Sequence, residues 1–166
     1  MALGLLIARL ILGLGLAGHG AQKLFGLFGG YGISGTGGFM ESLGWKPGHL
    51  FAIAAGIGEL GGGLLTALGF LSPLGPALIV LVMVAASLSV HLAKGFWSAN
   101  GGYELPAMNI AGALAIGFCG PGAYSLDAGF GTGWSDPKTT WIMFGVAIGL
   151  GVINNAIRRP APTPTV

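Results

Sequence analysis

The chain has 166 residues, of which 53% are hydrophobic and 7% are charged, and its formal net charge is +2. A soluble domain carries about 25% charged residues. Seven Lys or Arg and five Asp or Glu side chains are too few to solvate the surface of a soluble domain of this length. Most of the surface must therefore face lipid. The few charges are not clustered, so the sequence gives no indication of nucleic-acid binding.

Five apolar stretches follow one another along the chain, each near the ~20 residues that cross a bilayer. Because every backbone polar group inside a bilayer must be paired, we expect these stretches to be helices. The first is too long for a signal peptide and lacks a basic segment before it, so it is predicted to be a retained membrane helix. The stretches span about residues 3–28, 49–71, 77–92, 104–120 and 139–157.

The sequence thus predicts an all-α integral membrane protein, with a four-helix transmembrane core at residues 1–127. Residues 128–157 would add a loop and a fifth transmembrane helix, and residues 158–166 a disordered, Pro-rich tail. Residues 29–48 are rich in glycine and are expected to form a loop. All four tryptophans fall in or beside predicted loops, as in an interfacial aromatic belt. They are Trp45, Trp97, Trp134 and Trp141.

The basic residues suggest an orientation. With five crossings, the side that carries the C-terminus collects Lys46, Lys94, Arg158 and Arg159, whereas Lys138 lies on the opposite side. Positively charged loops are enriched in the cytoplasm. We therefore expect a cell-membrane protein whose C-terminus is cytoplasmic.

The 34 glycines include pairs at the spacing that allows transmembrane helices to pack closely. Gly58 and Gly62 form one such pair, and Gly145 and Gly149 form another. Both pairs are predicted to pack against neighbouring helices.

Cysteine usage limits the chemistry. Cys119 is the only cysteine, so this chain alone supplies neither a thiol–disulfide relay nor an iron–sulfur cluster. His19 and His91 could hold a haem from facing helices, but no two histidines are paired on one helix, and no metal site is expected.

Polar side chains within the apolar stretches are the most informative residues. Each costs about 2.5–3.5 kcal/mol at a helix centre, so it is normally turned inward and paired. If the helices alternate in direction, these side chains gather in one half of the bundle, and only Arg9 lies deep toward the other face. The candidate ligand-binding residues are His19, Gln22, Lys23, Glu59, His91, Lys94 and Glu104.

Two interpretations of this polar half remain open. It could form a pocket near one membrane face that binds the oxygens of a quinone or a similar lipid-soluble ligand and moves protons. Alternatively, Glu59 could pair with Arg9, Lys23 or a histidine only to hold helices together. A cavity between the polar residues would favour the first interpretation.

Several separate motifs resemble those of the DoxX family, over roughly residues 5–127. They are HGAQKLFG (19–26), FMESLG (39–44), ELGG (59–62), HLAKGFW (91–97), NGGYE (100–104), GPG (120–122) and SLD (125–127). The resemblance implies a four-helix membrane bundle associated with a quinol oxidase or a thiosulfate:quinone oxidoreductase. It also implies, for some actinobacterial members, redox-stress complexes with superoxide dismutase and a sulfurtransferase. The fifth apolar stretch departs from the four-helix pattern.

Together, these observations predict a redox-linked membrane subunit that binds a quinone or similar ligand and acts with other protein subunits. The alternative is a non-catalytic accessory subunit packed at the edge of a larger respiratory or photosynthetic complex. A small-solute carrier is disfavoured because the sequence shows no inverted repeat. Membrane lipid is the other expected partner.

Overall fold

The computed structural model describes residues 2–159. All regular secondary structure in this range is helical, and the range contains no strand. This confirms the predicted all-α membrane fold. A π-helical turn, Ser87–His91, extends α4. The predicted tail lies outside the described residues from residue 160 onward. The helices are α1 (Ala2–Phe25), α2 (Gly32–Ser42), α3 (Gly48–Leu68), α4 (Leu74–Ala86), α5 (Glu104–Cys119), α6 (Leu126–Phe130) and α7 (Pro137–Ala156).

Within residues 2–159, four helical segments are long and apolar enough to cross a membrane: α1, α3, α7 and the continuous segment Leu74–Lys94. The fourth predicted crossing, α5, is apolar but has only 16 residues. The chain is therefore a multi-pass membrane protein.

Four helices surround a common interior. Helix α3 packs against α1 and α4, α4 packs against α5, and the α5–α1 seam closes the ring with the sparsest contact of the four. Helix α7 lies against the outer side of α4. It still reaches the hydrophobic core, where Phe144 clusters with Leu16, Ile79 and Val80. The fifth helix is thus an integral part of the bundle.

The expectation of a loop at residues 29–48 is wrong for its central part, which forms α2. Four glycines in this helix lower its intrinsic helix propensity and produced the loop prediction. Packing against α3 overrides that propensity. The Glu41 carboxylate also accepts a hydrogen bond from the Gly48 backbone nitrogen at 3.0 Å, which joins α2 to the first turn of α3.

Glycines bring α1 and α3 together. A Cβ atom built on Gly63 would lie 2.5 Å from the Gly13 carbonyl oxygen and 2.6 Å from the Ala17 nitrogen. One built on Gly20 would lie 2.7 Å from the Gly56 oxygen. These separations are shorter than real Cβ atoms tolerate, so only glycine permits this approach.

The two predicted packing pairs differ. Gly58 and Gly62 face α4, where added Cβ atoms would lie 2.8 Å from side-chain atoms of Val82 and Leu78. Gly145 and Gly149 meet nothing within 4 Å, so the expectation that they pack against a helix of this chain is wrong.

Helical periodicity explains the error in α7. The row of this helix that turns inward consists of Thr140, Phe144, Ala147 and Gly151. Residues spaced at four, three and four lie on one helix face, and Gly145 falls outside that row. Gly151 is the close-packed glycine instead, because its added Cβ would lie 2.9 Å from the Leu81 oxygen.

Trp45 departs from the predicted aromatic belt because it is buried, with only 4% of its surface exposed. Its indole nitrogen donates to the Asn154 carbonyl at 3.0 Å. Its ring stacks on Phe51 and lies under the Arg158 guanidinium, at centroid distances of 6.0 and 5.7 Å. It therefore joins the end of α7 to the α2–α3 connection.

We predict that Gly63→Ala destabilises the protein, because the added methyl group would overlap the backbone of α1. Overpacking of this kind costs about 1–3 kcal/mol. Gly145→Ala is the matched control: it adds the same methyl group in open space, where replacing a helical glycine gains about 0.5–1 kcal/mol. Thermal unfolding in mild detergent should show a lower midpoint for the first variant alone. Equal midpoints would contradict the close approach of α1 and α3.

Candidate functional site

A cavity of about 470 Å³ lies inside one end of the bundle. At this end, α1, α4 and α7 finish and α3 and α5 begin; it is called the cavity end below. The volume is within the range of about 300–1,000 Å³ that is typical of small-molecule sites. Most of the wall is apolar. Polar side chains on the wall include His19, Lys23, Glu59, His91, Asn109 and Asn154.

Lys23 and Glu59 form an ion pair on the cavity wall, with 2.5 Å between Nζ and Oε2. The Glu59 side chain is 7% exposed and the Lys23 side chain 26%. A carboxylate this deep in an apolar bundle needs a partner to remain charged. Pairing across helices and a neighbouring cavity therefore occur together, and the two interpretations of the polar half are not mutually exclusive.

His91 is held by the loop that follows α4. Its Nδ1 lies 2.7 Å from the Gly101 carbonyl oxygen. Because a carbonyl only accepts, Nδ1 carries a proton, and in the neutral form of the ring Nε2 is then an acceptor. His91 is also the last residue of the π-helical turn. Such turns occur frequently at functional sites.

His19 is held in a similar way. Its Nδ1 lies 3.1 Å from Oε1 of Gln22, and Nε2 of Gln22 donates to the Phe28 carbonyl at 3.1 Å. That second bond makes the Gln22 oxygen the acceptor towards His19, which again places the ring proton on Nδ1. Nε2 of His19 remains an acceptor. The two histidines thus come from different helices to the same cavity with the same nitrogen available.

The structure brings together four of the seven candidate residues. His19, Lys23, Glu59 and His91 line the cavity, and Gln22 supports His19 from outside it. Lys94 is exposed and does not line the cavity. Glu104 does not line it either, and its carboxylate accepts from the Ser98 backbone nitrogen at 2.8 Å. Lys94 and Glu104 therefore lie away from this cavity. Ligand binding by the seven candidate residues stays a prediction.

Two asparagines complete the polar lining. Asn109 lies one turn into α5, and within the described residues its side chain makes one hydrogen bond, a long one of 3.6 Å to the sulfur of Met83. As a polar residue within an apolar stretch, Asn109 could be recognised from the sequence as a candidate for the site. Asn154 lies in the last turn of α7, where polar residues are common, so nothing in the sequence distinguishes it.

The end of α7 closes the base of the cavity. Arg158 donates to the Ser89 carbonyl in the π-helical turn at 3.2 Å, and the Arg159 backbone nitrogen donates to the Gly44 carbonyl at 2.8 Å. With the Trp45–Asn154 bond, these contacts connect α7 to both α4 and the α2–α3 link. The fifth helix therefore contributes to the site.

A second polar cluster lies at the opposite end of the bundle. Arg9 is 2% exposed and donates to the backbone carbonyls of Pro121, Tyr124 and Ala67. Asp127, also 2% exposed, accepts from the backbone nitrogens of Leu71 and Ser72 at 2.9 and 2.8 Å and from Thr132 at 2.7 Å. These bonds join the α5–α7 connection to the rest of the bundle, so we assign this cluster a structural role.

The first turn of α7 lies at that same end and is capped by Asp136. The Asp136 carboxylate accepts from the Thr139 backbone nitrogen at 3.0 Å. Hydrogen bonding to Thr139 lowers the pKa of Asp136 below its ordinary value.

Among the described residues, no group of three or more His, Cys, Asp or Glu side chains is arranged to hold a metal ion.

The apolar spanning helices define a multi-pass helical membrane protein, and the bundle contains a cavity at one end. Residues 4–92, just over half of the chain, match the family model of DoxX. The chain belongs to the DoxX family, as its motifs predicted. No curated protein and no solved structure matches it.

The matched range covers only part of the site. It includes α1 to α4 and therefore His19, Lys23, Glu59 and His91. The walls supplied by α5 and α7, with Asn109 and Asn154, lie beyond it, as do the motifs after residue 92.

We predict that Lys23 and Glu59 stabilise the bundle as a pair. Lys23→Met leaves a buried carboxylate without its partner, and Glu59→Leu leaves an ammonium group in an apolar wall, so each should lower stability. The double variant should lose less than the sum of the two, with a coupling of about 0.5–3 kcal/mol. Denaturant unfolding of the four proteins in detergent measures this coupling, and strictly additive losses would show that the pair contributes nothing.

Proposed function

We propose that this protein is a redox-linked membrane subunit that binds the head group of a quinone or quinol in the cavity and works beside a catalytic partner. One observation carries the proposal. Two histidines on the wall of an apolar cavity each have Nδ1 fixed by a hydrogen bond and Nε2 without one, and the same wall contains a paired carboxylate.

This arrangement suits a flat, apolar ring with oxygens at its edges. The ring needs an apolar slot, and its hydroxyl groups need acceptors that can also take protons. Oxidation of a quinol releases two electrons and two protons. In the proposal, His19 and His91 accept the protons at Nε2, the Lys23–Glu59 pair sets the local field, and the electrons pass to a redox group of the partner protein.

Membership in the DoxX family supports this setting, because the family resemblance implies quinol- and quinone-linked complexes. The size of the cavity, which is lined by residues from α1 to α7, also supports a dedicated ligand site. Helix packing alone does not require an apolar space of this size.

The charge distribution supports an orientation in the cell membrane. The cavity end carries Lys23, Lys46, Lys94, Arg158 and Arg159. The opposite end has Lys138 and the buried Arg9. By the positive-inside rule, we place the cavity end and the C-terminus on the cytoplasmic side. Protons released in the cavity would then be nearest the cytoplasm.

Binding can be tested through Trp45, the tryptophan that lines the cavity. A chain with Trp97, Trp134 and Trp141 changed to Phe keeps Trp45 as its fluorophore. We expect decylubiquinone, added to this protein in mild detergent, to quench its fluorescence saturably. His91→Leu should weaken binding by about tenfold, the value of one hydrogen bond of ~1.4 kcal/mol.

His49→Leu is the matched control, because His49 is exposed at the start of α3 and does not line the cavity. It should leave the affinity unchanged. If the quinone fails to quench Trp45 saturably, or if both histidine variants behave alike, quinone binding in the cavity is rejected. Retention of large protein partners on purification, without quinone binding, would instead support a non-catalytic accessory subunit.

A further inference from the structure

The α1–α5 seam is the loosest of the helix–helix seams around the bundle interior. Of the four seams around the bundle interior, this one has the sparsest contact, whereas α3 packs closely against both of its neighbours. The two helices approach near Leu12 and Gly112, where a Cβ atom added to Gly112 would lie 3.5 Å from Leu12 Cδ2. The approach of α1 and α5 is therefore made at mid-bundle.

Helix geometry shows what lies between these helices nearer the cavity end. They are antiparallel, since the cavity is lined by the last half of α1 and the first turns of α5. Two turns, or about seven residues, along each helix from the contact returns to the same face. That step leads from Leu12 to His19 and from Gly112 to Leu105. Both of these residues line the cavity.

At this level the seam is open. Leu105 is 58% exposed and Met108 64% exposed, and His19 is also exposed. Gly15, one turn before His19 on α1, would place a Cβ atom in space with nothing within 4 Å. A lateral opening with an apolar rim therefore leads from the lipid-facing surface to His19.

The membrane-face end of the cavity is more firmly closed. There the Trp45–Asn154 and Arg158–Ser89 hydrogen bonds tie α7 to the α2–α3 link and to α4. Trp45, which lies between them, is almost fully buried. Of these two boundaries, the α1–α5 seam is the easier route.

We infer that the ligand enters sideways from the bilayer through the α1–α5 seam, with its polar head in the cavity and its apolar tail in the seam and the surrounding lipid. The identity of the head group rests on the proposed function. The seam itself selects the ligand class: a membrane-dissolved amphiphile with a long apolar tail, which reaches the cavity without passing through water.

The test narrows the seam without touching the cavity wall. Gly15→Phe places a ring at the outer edge of the opening, and Gly15→Leu places a smaller group there. Gly4→Phe is the matched control, because Gly4 is also an open glycine of α1 but lies near its other end. All three are made in the chain that keeps only Trp45.

The measurement is the rate of Trp45 quenching after phosphatidylcholine vesicles that contain the protein are mixed with vesicles that carry decylubiquinone. We expect Gly15→Phe to slow association by about tenfold, and Gly15→Leu to slow it less. The dissociation constant should not change, because a narrowed route slows entry and exit equally. Rates equal to the parent protein in both Gly15 variants, or slowed equally in Gly4→Phe, would overturn the lateral route.

A second readout separates this inference from quinone binding. Phosphatidylcholine with brominated acyl chains quenches tryptophan on contact, so an open seam should allow it to quench Trp45 in the parent chain and less in Gly15→Phe. That difference, without any quinone effect, would support the seam and reject the quinone. Equal quenching in the two proteins would reject the lateral route, even if decylubiquinone binds.

Discussion

The close approach of α1 and α3 positions the central ion pair. Gly13 against Gly63 and Gly20 against Gly56 set one antiparallel register between the two helices. Side chains tilt towards the N-terminus of their own helix, so Lys23 and Glu59, which start at different depths, lean towards each other. They meet at 2.5 Å. Larger residues at the glycine contacts would separate the helices and leave a carboxylate unpaired in an apolar interior, which is costly.

The cavity depends on the same register. The ion pair occupies the wall between α1 and α3, and the opposite wall comes from the last part of α4 and the first turns of α5. Each histidine is oriented by a bond to a neighbouring loop or side chain and not by the ion pair. The ion pair balances the buried charge, and separate hydrogen bonds orient the histidines. A ligand could therefore bind to the histidines without breaking the pair between Lys23 and Glu59.

Much of this architecture follows from the sequence, because long apolar stretches have few folding options in a bilayer. The grouping of His19, Lys23, Glu59 and His91 followed from alternating helix direction alone. Other features depend on three-dimensional neighbours that a linear pattern does not contain. Glycine-rich α2 is helical because α3 packs against it.

The same reasoning explains the errors in detail. Trp45 looks interfacial in sequence and is buried because α7 returns beside it. Gly145 and Gly149 have the spacing of a packing motif, but spacing does not specify which face of α7 meets α4. Lys94 and Glu104 lie at the depth of the cavity, but their side chains do not line it. Lys94 is exposed, and the Glu104 carboxylate accepts a hydrogen bond from Ser98 in the preceding loop.

The direction of the His91 side chain depends on the π-helical turn at Ser87–His91. Such a turn accommodates one more residue than an α-helical turn, and each residue of an α-helix rotates the chain by about 100°. The direction of His91 therefore depends on the number of residues in α4 as well as on their identity. Loss of a single residue within this turn would rotate the end of the helix and point the imidazole away from the cavity, although every polar side chain of the site would still be present.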